Sequence, residues 1–367
     1  MGHALCPLVR TANDRSRGFT LLELLVVIAI LSVVLGLMLA AVQSVREAAH
    51  RLTCAQRLRQ LGLAAQQFEA SHKRLPPGYL GPGPEDEYTL RLDLARMRKA
   101  QWIGNLVYLL PYLEQDALYR QLQVNLDDRY VSPDPWFWLP GAEMPNMVNY
   151  GVARVPVAAF QCPSAPDFSP PRLQMGPDKG GTAIGIHAFN TSQEGVPYLV
   201  LIKMWIEKYD KIPYYPLGRT NYVGVMGTCG RGDHPRWGMY EGIYTNRSRH
   251  SLQRIPDGTS HTLLYGEVSG TAYGTSAMDI AWIGGGSLPT CLGLQPGREA
   301  SVLAFSSHHP AGVQFCFADG SVRLLRYRTT VWRDAVFLPP FNEAWYVLQE
   351  LAGIRDGGQR EASILTD

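Results

Sequence analysis

The feature that most constrains this chain is one long apolar run near its N-terminus. It extends from Phe19 to Val42, and Glu23 and Ser32 are its strongly interrupting polar groups. As a helix with about 1.5 Å rise per residue it reaches roughly 36 Å, slightly more than the hydrocarbon thickness of about 30 Å. No other stretch of the sequence is apolar for long enough to cross a bilayer. The sequence therefore predicts a single-pass membrane protein and excludes a multi-pass one.

Basic residues before this run predict its orientation. Arg10, Arg15 and Arg17 precede it, against a single acidic residue, Asp14. Because positively charged flanks stay in the cytoplasm, the first 18 residues are expected to be cytoplasmic and the rest of the chain to be exported. The expected location is the bacterial cytoplasmic (inner) membrane, with the C-terminal domain in the periplasm or at the cell surface.

Three interpretations fit such a start: a cleaved secretory signal, a plain signal anchor, or a prepilin leader. A secretory signal has an apolar region of about 7 to 15 residues followed by an A-x-A-like site. Here the run is longer, and Leu39-Ala40-Ala41 matches that site poorly. A plain anchor gives no reason for Glu23, because an acidic residue in the membrane costs about 2.5 to 3.5 kcal/mol. Cleavage after Gly18 would instead expose an amino group on Phe19 that the Glu23 carboxylate of a neighbouring subunit could pair with.

The segment Arg17-Gly18-Phe19-Thr20-Leu21-Leu22-Glu23 resembles the leader of type IV prepilins and type II secretion pseudopilins. In that leader, Gly precedes F-T-L-x-E and an unbroken apolar helix. The resemblance implies that a prepilin peptidase cuts between Gly18 and Phe19, that Phe19 becomes N-methylated, and that Glu23 aligns subunits during assembly. The partners it implies are the prepilin peptidase, copies of this chain or other pilin-like subunits, and the membrane.

The helical pattern continues beyond the apolar run. Apolar residues recur at spacings of three and four, at positions 42, 45, 48, 49, 52, 55, 58, 61, 65 and 68. This spacing predicts an amphipathic helix that reaches about Ser71 and is ended by Leu75-Pro76-Pro77-Gly78. Its apolar face is expected to pack on the exported domain, because an exposed stripe of that length would favour aggregation.

Beyond residue 78 the pattern changes to short apolar runs separated by Gly, Pro, Asn and Asp, which is typical of antiparallel strands and hairpins. A helix is expected between Trp102 and Leu118, kinked or split by Pro111. The predicted fold class is α+β and pilin-like, with the long N-terminal helix packed on an enlarged antiparallel sheet. Strands are predicted at 221–225, 262–268, 313–317 and 322–327.

These patterns predict the division of the chain. The expected parts are a leader at 1–18, a transmembrane helix at 19–42, an amphipathic extension at 43–72, an exported domain at 73–335, and a C-terminal helix and tail at 336–367. The regions 79–98 and 167–217 are rich in Pro and charge or irregular in pattern, and we interpret them as insertions.

Composition and motifs exclude several classes of function. The 34 basic and 32 acidic side chains leave a net charge of only +2. The chain therefore lacks the excess of positive charge that is expected of a protein that binds nucleic acid. The six cysteines have no metal-ligand spacing, which argues against a zinc module. No G-x-S-x-G, phosphate-loop or H-E-x-x-H pattern occurs. The sequence therefore assigns no enzyme activity and no cofactor.

A hairpin near the C-terminus is the clearest local pattern. Alternating residues from Val313 to Phe317 are followed by Asp319-Gly320, a pair that favours a turn with positive φ. His309 precedes this strand, and residues 310 to 318 separate it from Asp319. The spacing resembles the C-terminal H-x9-D-G signature of a large, functionally uncharacterised bacterial family whose members start with a prepilin leader.

Further segments similar to that family extend through most of the chain. They are 46–51 with Cys54 and 61–63; 109–115; 160–164; 220–222; 255–264 with Glu267; and 355–358. Position 261 is His where the family usually has Asn, so we assign it no function. The resemblance implies an architecture more than an activity.

Cysteine use gives one further expectation. Cys6 leaves with the leader, and five cysteines remain in an oxidising compartment. Cys54 and Cys162 coincide with segments of the resemblance, which makes them the expected disulfide between the long helix and the sheet. The alternative is five buried thiols.

A metal site in the hairpin region is the other chemical possibility. His308, His309 and Asp319 could bind a metal if the hairpin folded back. However, Asp in an Asp-Gly turn usually bonds its own backbone, and His before a turn usually caps a strand or fills a core edge. We therefore interpret His309, Asp319 and Gly320 as structural and assign no metal.

The function predicted from these patterns is that of a structural, pilin-like subunit of a type II secretion or type IV pilus-like assembly. The alternative is a membrane-displayed binding module for an extracellular polymer or glycan. In that case Trp136, Trp138, Trp237 and Trp282 would supply stacking platforms, although a core position is expected for most of them.

Overall fold

A computed structural model describes most of the chain. The described residues are 20–84, 99–132, 134–137, 146–165, 181–191, 198–206, 217–232, 234–235, 237–269, 278–297, 300–329, 342–358 and 360–366. The chain divides into two compact units, Met1–Ala49 and His50–Asp367.

One helix, α1, covers Leu21–His72 and ends one residue beyond the predicted end. Every large apolar side chain at positions 21–45, here called the apolar segment, is exposed. Among the described residues, α1 is the helix that is long and apolar enough to cross a membrane, by length and composition. The apolar run of the sequence and its amphipathic extension thus form one continuous helix.

Positions 54–68 of α1, here called the core segment, are buried along one face. The buried side chains are Cys54, Leu58, Leu61, Ala64, Ala65 and Phe68. The predicted stripe is confirmed from Leu58 onward but is wrong at Val42, Val45 and Leu52, which are 64%, 68% and 66% exposed. Leu52 lies two residues before Cys54, about 200° around the helix axis, and therefore faces away from the core.

The predicted helix between Trp102 and Leu118 is split at Pro111, as expected. Helix α2 covers Asn105–Leu109, a 3₁₀ turn follows at Leu110–Leu113, and α3 covers Asp116–Tyr119. The turn ends at Glu114, which has a left-handed conformation with φ 60°. Proline cannot donate a backbone hydrogen bond in a helix interior, so it stands at the start of the new turn.

The remaining helices are short. Helix α4 covers Met147–Ala153, and its N-cap Asn146 accepts a hydrogen bond from the Asn149 backbone. The described C-terminal residues contain α5 at Glu343–Ala352 and α6 at Ser363–Thr366. Helix α5 lies in the region where a C-terminal helix is expected.

The described strands form three sheets. In chain order they are β1 (Gly181–Thr191), β2 (Tyr198–Ile206), β3 (Arg219–Thr220), β4 (Tyr222–Val225), β5 (Leu263–Glu267), β6 (Met278–Ala281), β7 (Ser287–Leu288), β8 (Leu294–Pro296), β9 (Phe305–Ser307), β10 (Val313–Phe317) and β11 (Val322–Leu325). The largest sheet has the order β11-β10-β5-β4-β7 and is antiparallel except for the β4–β7 pair. Strands β4, β5, β10 and β11 confirm the four predicted strands to within two residues.

A second sheet has the order β2-β1-β6-β3, and β8 pairs with β9 in the third. Strands β1 and β2 form a long antiparallel hairpin inside the region 167–217. The sequence predicts no strand in this region, which we interpret as an insertion. The sequence of β2, YLVLIKMWI, is almost continuously apolar and lacks the alternation that identifies a half-buried strand.

The five-stranded sheet lies between two hydrophobic clusters. Phe315 and Phe317 of β10 belong to the cluster that contains Trp345 of α5. The intervening Cys316 belongs to the other cluster, together with Leu61 of α1. Because successive side chains of a strand point to opposite faces, the sheet packs on the core segment with one face and on α5 with the other.

Candidate functional site

The start of α1 is the first candidate region. Gly18 and Phe19 lie outside the described residues. The Glu23 carboxylate accepts hydrogen bonds from the Thr20 backbone N–H and hydroxyl, both at 2.9 Å, and the Glu23 N–H donates to the Thr20 hydroxyl at 3.2 Å. This is a capping box, in which a Thr and a Glu three residues later satisfy each other's backbone donors. The sequence-based prediction for Glu23 names only a partner in a neighbouring subunit, although the T-x-x-E spacing is that of a capping box.

The C-terminal hairpin is the second region. Gly320 N–H donates to the Phe317 carbonyl at 2.9 Å, and Gly320 has φ +84°. The Asp319 carboxylate accepts from the Ser321 N–H at 2.8 Å, so it stabilises its own turn. A type I turn followed by a left-handed glycine is a common hairpin connection. The structure thus places Asp319 and Gly320 in the turn itself.

His309 lies elsewhere, inside the protein. Its side chain is fully buried, and its Nε2 is 3.5 Å from Glu267 Oε1 and 3.7 Å from Cys162 Sγ. A disulfide joins Cys162 to Cys54, the pair that the resemblance implies. The ligand atoms of these four buried residues all lie within 4.8 Å of one another. We call this group the Cys–Glu–His cluster; it does not include His308 or Asp319.

Four separate elements bring the cluster together. Cys54 comes from the core segment of α1, and Cys162 follows the 3₁₀ turn at Ala158–Phe160. The Cys162 N–H donates to the Asn221 side chain at 2.9 Å, and the Asn221 side chain in turn donates to the Val268 carbonyl at 3.1 Å. One amide therefore fixes the Cys162 loop against the end of β5.

Glu267 and His309 are held by contacts of their own. Glu267 is the last residue of β5, and its Oε2 accepts from the Gln314 N–H of β10 at 3.0 Å. The His309 N–H donates to the Ser307 hydroxyl at 3.1 Å, and the His309 carbonyl accepts from the Tyr327 hydroxyl at 2.9 Å. The positions of the carboxylate and the imidazole are thus set by the sheet.

The surroundings of Glu267 are poorly solvated. Burial, and after it the negative charge of Glu267, raise the pKa of the Tyr222 and Tyr327 phenols above their usual range. Burial also lowers the pKa of His308, the neighbour of His309. Burial therefore favours the neutral forms of these phenols and of this imidazole.

Other residues from the segments that are similar to the uncharacterised family also contact one another. The Ser164 hydroxyl lies 3.3 Å from His50 Nδ1. The Asp257 carboxylate accepts from the backbone N–H groups of Asp356 and Gly357, at 2.9 and 3.2 Å. These residues, Asn221 and Glu267 all lie in segments of the resemblance, and the sequence predicts a role only for Asp257, as a turn residue. Only their occurrence in the quoted segments could have identified them as a set.

The other three described cysteines, Cys229, Cys291 and Cys316, are buried and are not part of a disulfide. Burial raises the pKa of Cys316 to about 12, so it is inert as a nucleophile.

Comparisons with known proteins agree with this organisation. Residues 13–39 match the prokaryotic N-terminal methylation motif, which defines a class of membrane-anchored, pilin-like chains. Residues 43–330 match the family described as a protein of unknown function (DUF1559), and because this match covers more than half of the chain, the chain belongs to that family. No curated protein and no solved structure matches.

The two matches support a general assignment. The methylation motif implies processing by a prepilin peptidase and pilin-like assembly. Together with the one apolar helix, it indicates a single-pass membrane anchor. The long helix followed by mainly antiparallel sheets is an α+β arrangement of pilin-like type. The family description gives no function.

Proposed function

We propose that this chain is a structural, pilin-like subunit of pseudopilin type in a type II secretion or type IV pilus-like assembly, and that it is not an enzyme. The observation that supports this most is the apolar segment of α1, whose large apolar side chains are all exposed. The methylation motif covers most of that segment. A contiguous apolar surface of this kind requires lipid or other apolar helices around it.

The assembly role rests on Glu23 as well. A carboxylate can accept about four hydrogen bonds, two at each oxygen. The contacts with Thr20 use Oε2, and Oε1 accepts no hydrogen bond from the described residues. Oε1 is therefore available to the amino group of Phe19 of a neighbouring subunit. The capping box would hold the carboxylate in place for that contact.

We further propose that the N-terminus lies in the cytoplasm and the unit His50–Asp367 outside the cytoplasmic membrane. The basic residues before the apolar run support this orientation. The Cys54–Cys162 disulfide also supports it, since disulfides persist in oxidising compartments.

The alternative of a binding module for a polymer or glycan receives less support. Trp136, Trp237 and Trp282 are buried in the core and offer no exposed ring for stacking. The remaining candidate, Trp138, lies outside the described residues. Assembly through α1 therefore remains the proposed function.

The experiment that tests the proposal has two readouts. The mature N-terminus is determined by mass spectrometry in cells that contain a prepilin peptidase, and methylated Phe19 is expected. In the same cells, Leu31→Cys in the apolar segment should form cross-linked dimers in the membrane. Met239→Cys is the matched control, because residue 239 is exposed but lies outside α1. An intact Met1, or equal cross-linking at both positions, would overturn the proposal.

A further inference from the structure

The spacing of the Cys–Glu–His cluster is the starting point. Tetrahedral zinc has bonds of about 2.3 Å to sulfur and about 2.1 Å to nitrogen or oxygen. Its ligand atoms therefore lie about 3.6 Å apart for sulfur and nitrogen, and about 3.4 Å apart for nitrogen and oxygen. His309 Nε2 lies 3.7 Å from Cys162 Sγ and 3.5 Å from Glu267 Oε1. These distances are close to those of a zinc site. The two sulfurs, which are bonded to each other, would have to separate to about 3.8 Å.

The disulfide alone gives no reason for the buried carboxylate. Glu267 is 2% exposed, and its Oε1 has no hydrogen-bond partner among the described residues. The nearest side chain that could neutralise it is His309, whose Nε2 lies 3.5 Å from Oε1, beyond a normal hydrogen bond. Oε1 points at His309 and at the sulfurs, which together with it are the atoms that zinc binds in proteins.

The cluster also has the supporting contacts that metal ligands need. Gln314 N–H holds the other oxygen of Glu267, and Asn221 holds the backbone of Cys162. The backbone of His309 is fixed on both sides by Ser307 and Tyr327. Partners of this kind orient metal ligands before the ion arrives.

The charges of the cluster and of its neighbours also suit a bound zinc ion. Two thiolates and one carboxylate around Zn²⁺ leave a net charge of −1. The guanidinium of Arg57 donates to the carbonyl of Gln161, the residue before Cys162. A cation therefore lies beside the cluster and would offset that remaining charge.

We propose that the Cys–Glu–His cluster is a redox-gated zinc site. In the oxidised chain, Cys54 and Cys162 share the disulfide and zinc is not bound. Exchange with a dithiol reductant converts the disulfide into two thiols, while the reductant becomes a disulfide. Zinc then binds both sulfurs, His309 Nε2 and Glu267 Oε1, and the two thiol protons pass to water. This inference does not depend on the assembly role of α1.

The test uses the full chain purified in detergent, with Co²⁺ as a spectroscopic probe. One sample is reduced with a phosphine, which is then removed without air, and a matched sample is kept oxidised. The reduced chain is expected to bind one Co²⁺, with thiolate-to-metal charge-transfer bands and the intense visible bands of a tetrahedral ion. Zinc should displace the cobalt. The oxidised chain should bind none.

Variants assign the ligands. Glu267→Gln and His309→Gln keep the side-chain size approximately and should each weaken zinc binding by the reduced chain at least tenfold. Cys291→Ala is the matched control, because Cys291 is a buried free cysteine outside the cluster, and it should bind like wild type.

Three results would overturn the proposal. They are no cobalt spectrum in the reduced chain, equal binding by oxidised and reduced chains, or undiminished binding in both Gln variants. Were a Gln variant to misfold, zinc should still raise the melting temperature of reduced wild type and leave that of oxidised wild type unchanged. Equal effects on the two forms would contradict the site as well, because they would indicate zinc binding that does not depend on the two thiols.

Discussion

The apolar segment and the core segment of α1 belong to the same helix, yet their side chains have opposite environments. In the apolar segment the large apolar residues surround the helix and are exposed; in the core segment they form one buried stripe, apart from the exposed Leu63. The difference shows that apolar content does not decide where a helix segment is placed. A one-sided stripe can be covered by the chain's own sheet, whereas an all-round apolar surface requires lipid or other helices.

Removal of the disulfide is expected to give the largest difference in the free energy of unfolding between the two segments. Cys54→Ala is expected to lower the free energy of unfolding by about 4 kcal/mol, since the bond closes a loop with a sequence separation of 108. Leu35→Ala in the apolar segment should leave it unchanged, because Leu35 is 61% exposed. Denaturant titration of the full chain in detergent measures both. A similar loss in the two variants would remove the distinction between the segments.

A second test lies within the globular unit. Leu61→Ala should lower the free energy of unfolding by about 3 kcal/mol, because it leaves a cavity in the core. Leu52→Ala should cost less than about 0.5 kcal/mol, because residue 52 faces away from that core. The same titration applies. If Leu52→Ala were as harmful as Leu61→Ala, the core would extend further along α1 than the structure indicates.

The hairpin turn next to the core segment gives a smaller effect. Gly320→Val should cost about 1 to 3 kcal/mol, since a β-branched residue is strained at φ +84°. A side chain there would also meet Gln66 of α1, whose Nε2 lies 3.3 Å from the position of the new Cβ. Asp319→Asn should be mild, because Asn can still accept from Ser321. Thermal melts compare the two, and a severe defect in Asp319→Asn would indicate a further role for the carboxylate.

The smallest change in stability is expected at the start of α1. Glu23→Ala removes both the charge and the capping box, which is worth about 1 kcal/mol. Glu23→Gln removes the charge but can keep the box, and Thr20→Ala keeps the charge but loses the box. We expect both Glu23 variants to insert normally and to lose cross-linking between Leu31→Cys helices, and Thr20→Ala to retain it.

The opposite pattern would contradict the assembly role. If Thr20→Ala lost cross-linking and Glu23→Gln retained it, Glu23 would act by capping its own helix. Membrane fractionation of every variant provides the control for insertion.

Local features of the fold could be predicted from the sequence. The end of α1, the split at Pro111 and strands β10 and β11 follow from spacing, proline chemistry and alternation. The hairpin β1–β2 could not be predicted, because a strand without alternation is identified only through its hydrogen-bonded partner. Leu52 is misassigned because spacings of both three and four fit the apolar pattern, and the pattern does not say which of two possible faces the core covers.

The Cys–Glu–His cluster was only partly predictable. The cysteine pair and His309 could be named from the resemblance, but Glu267 reaches them only because β5 pairs with β10 in one particular register. Positions so far apart in the chain are brought together by tertiary packing, which single-sequence patterns do not encode. The same reasoning explains why His309 and Asp319, close in sequence, have separate surroundings.

The position of the disulfide along α1 has a mechanical consequence. The globular unit begins at His50, and Cys54 is the first fully buried side chain of the helix within it. A pull along the helix from the membrane would reach this covalent link before it reached the packed side chains from Leu58 to Phe68. The load would then pass through bonded atoms into the loop at Cys162 and the sheet behind it. The disulfide would then carry most of the force, and the weaker noncovalent contacts further along α1 would carry little of it.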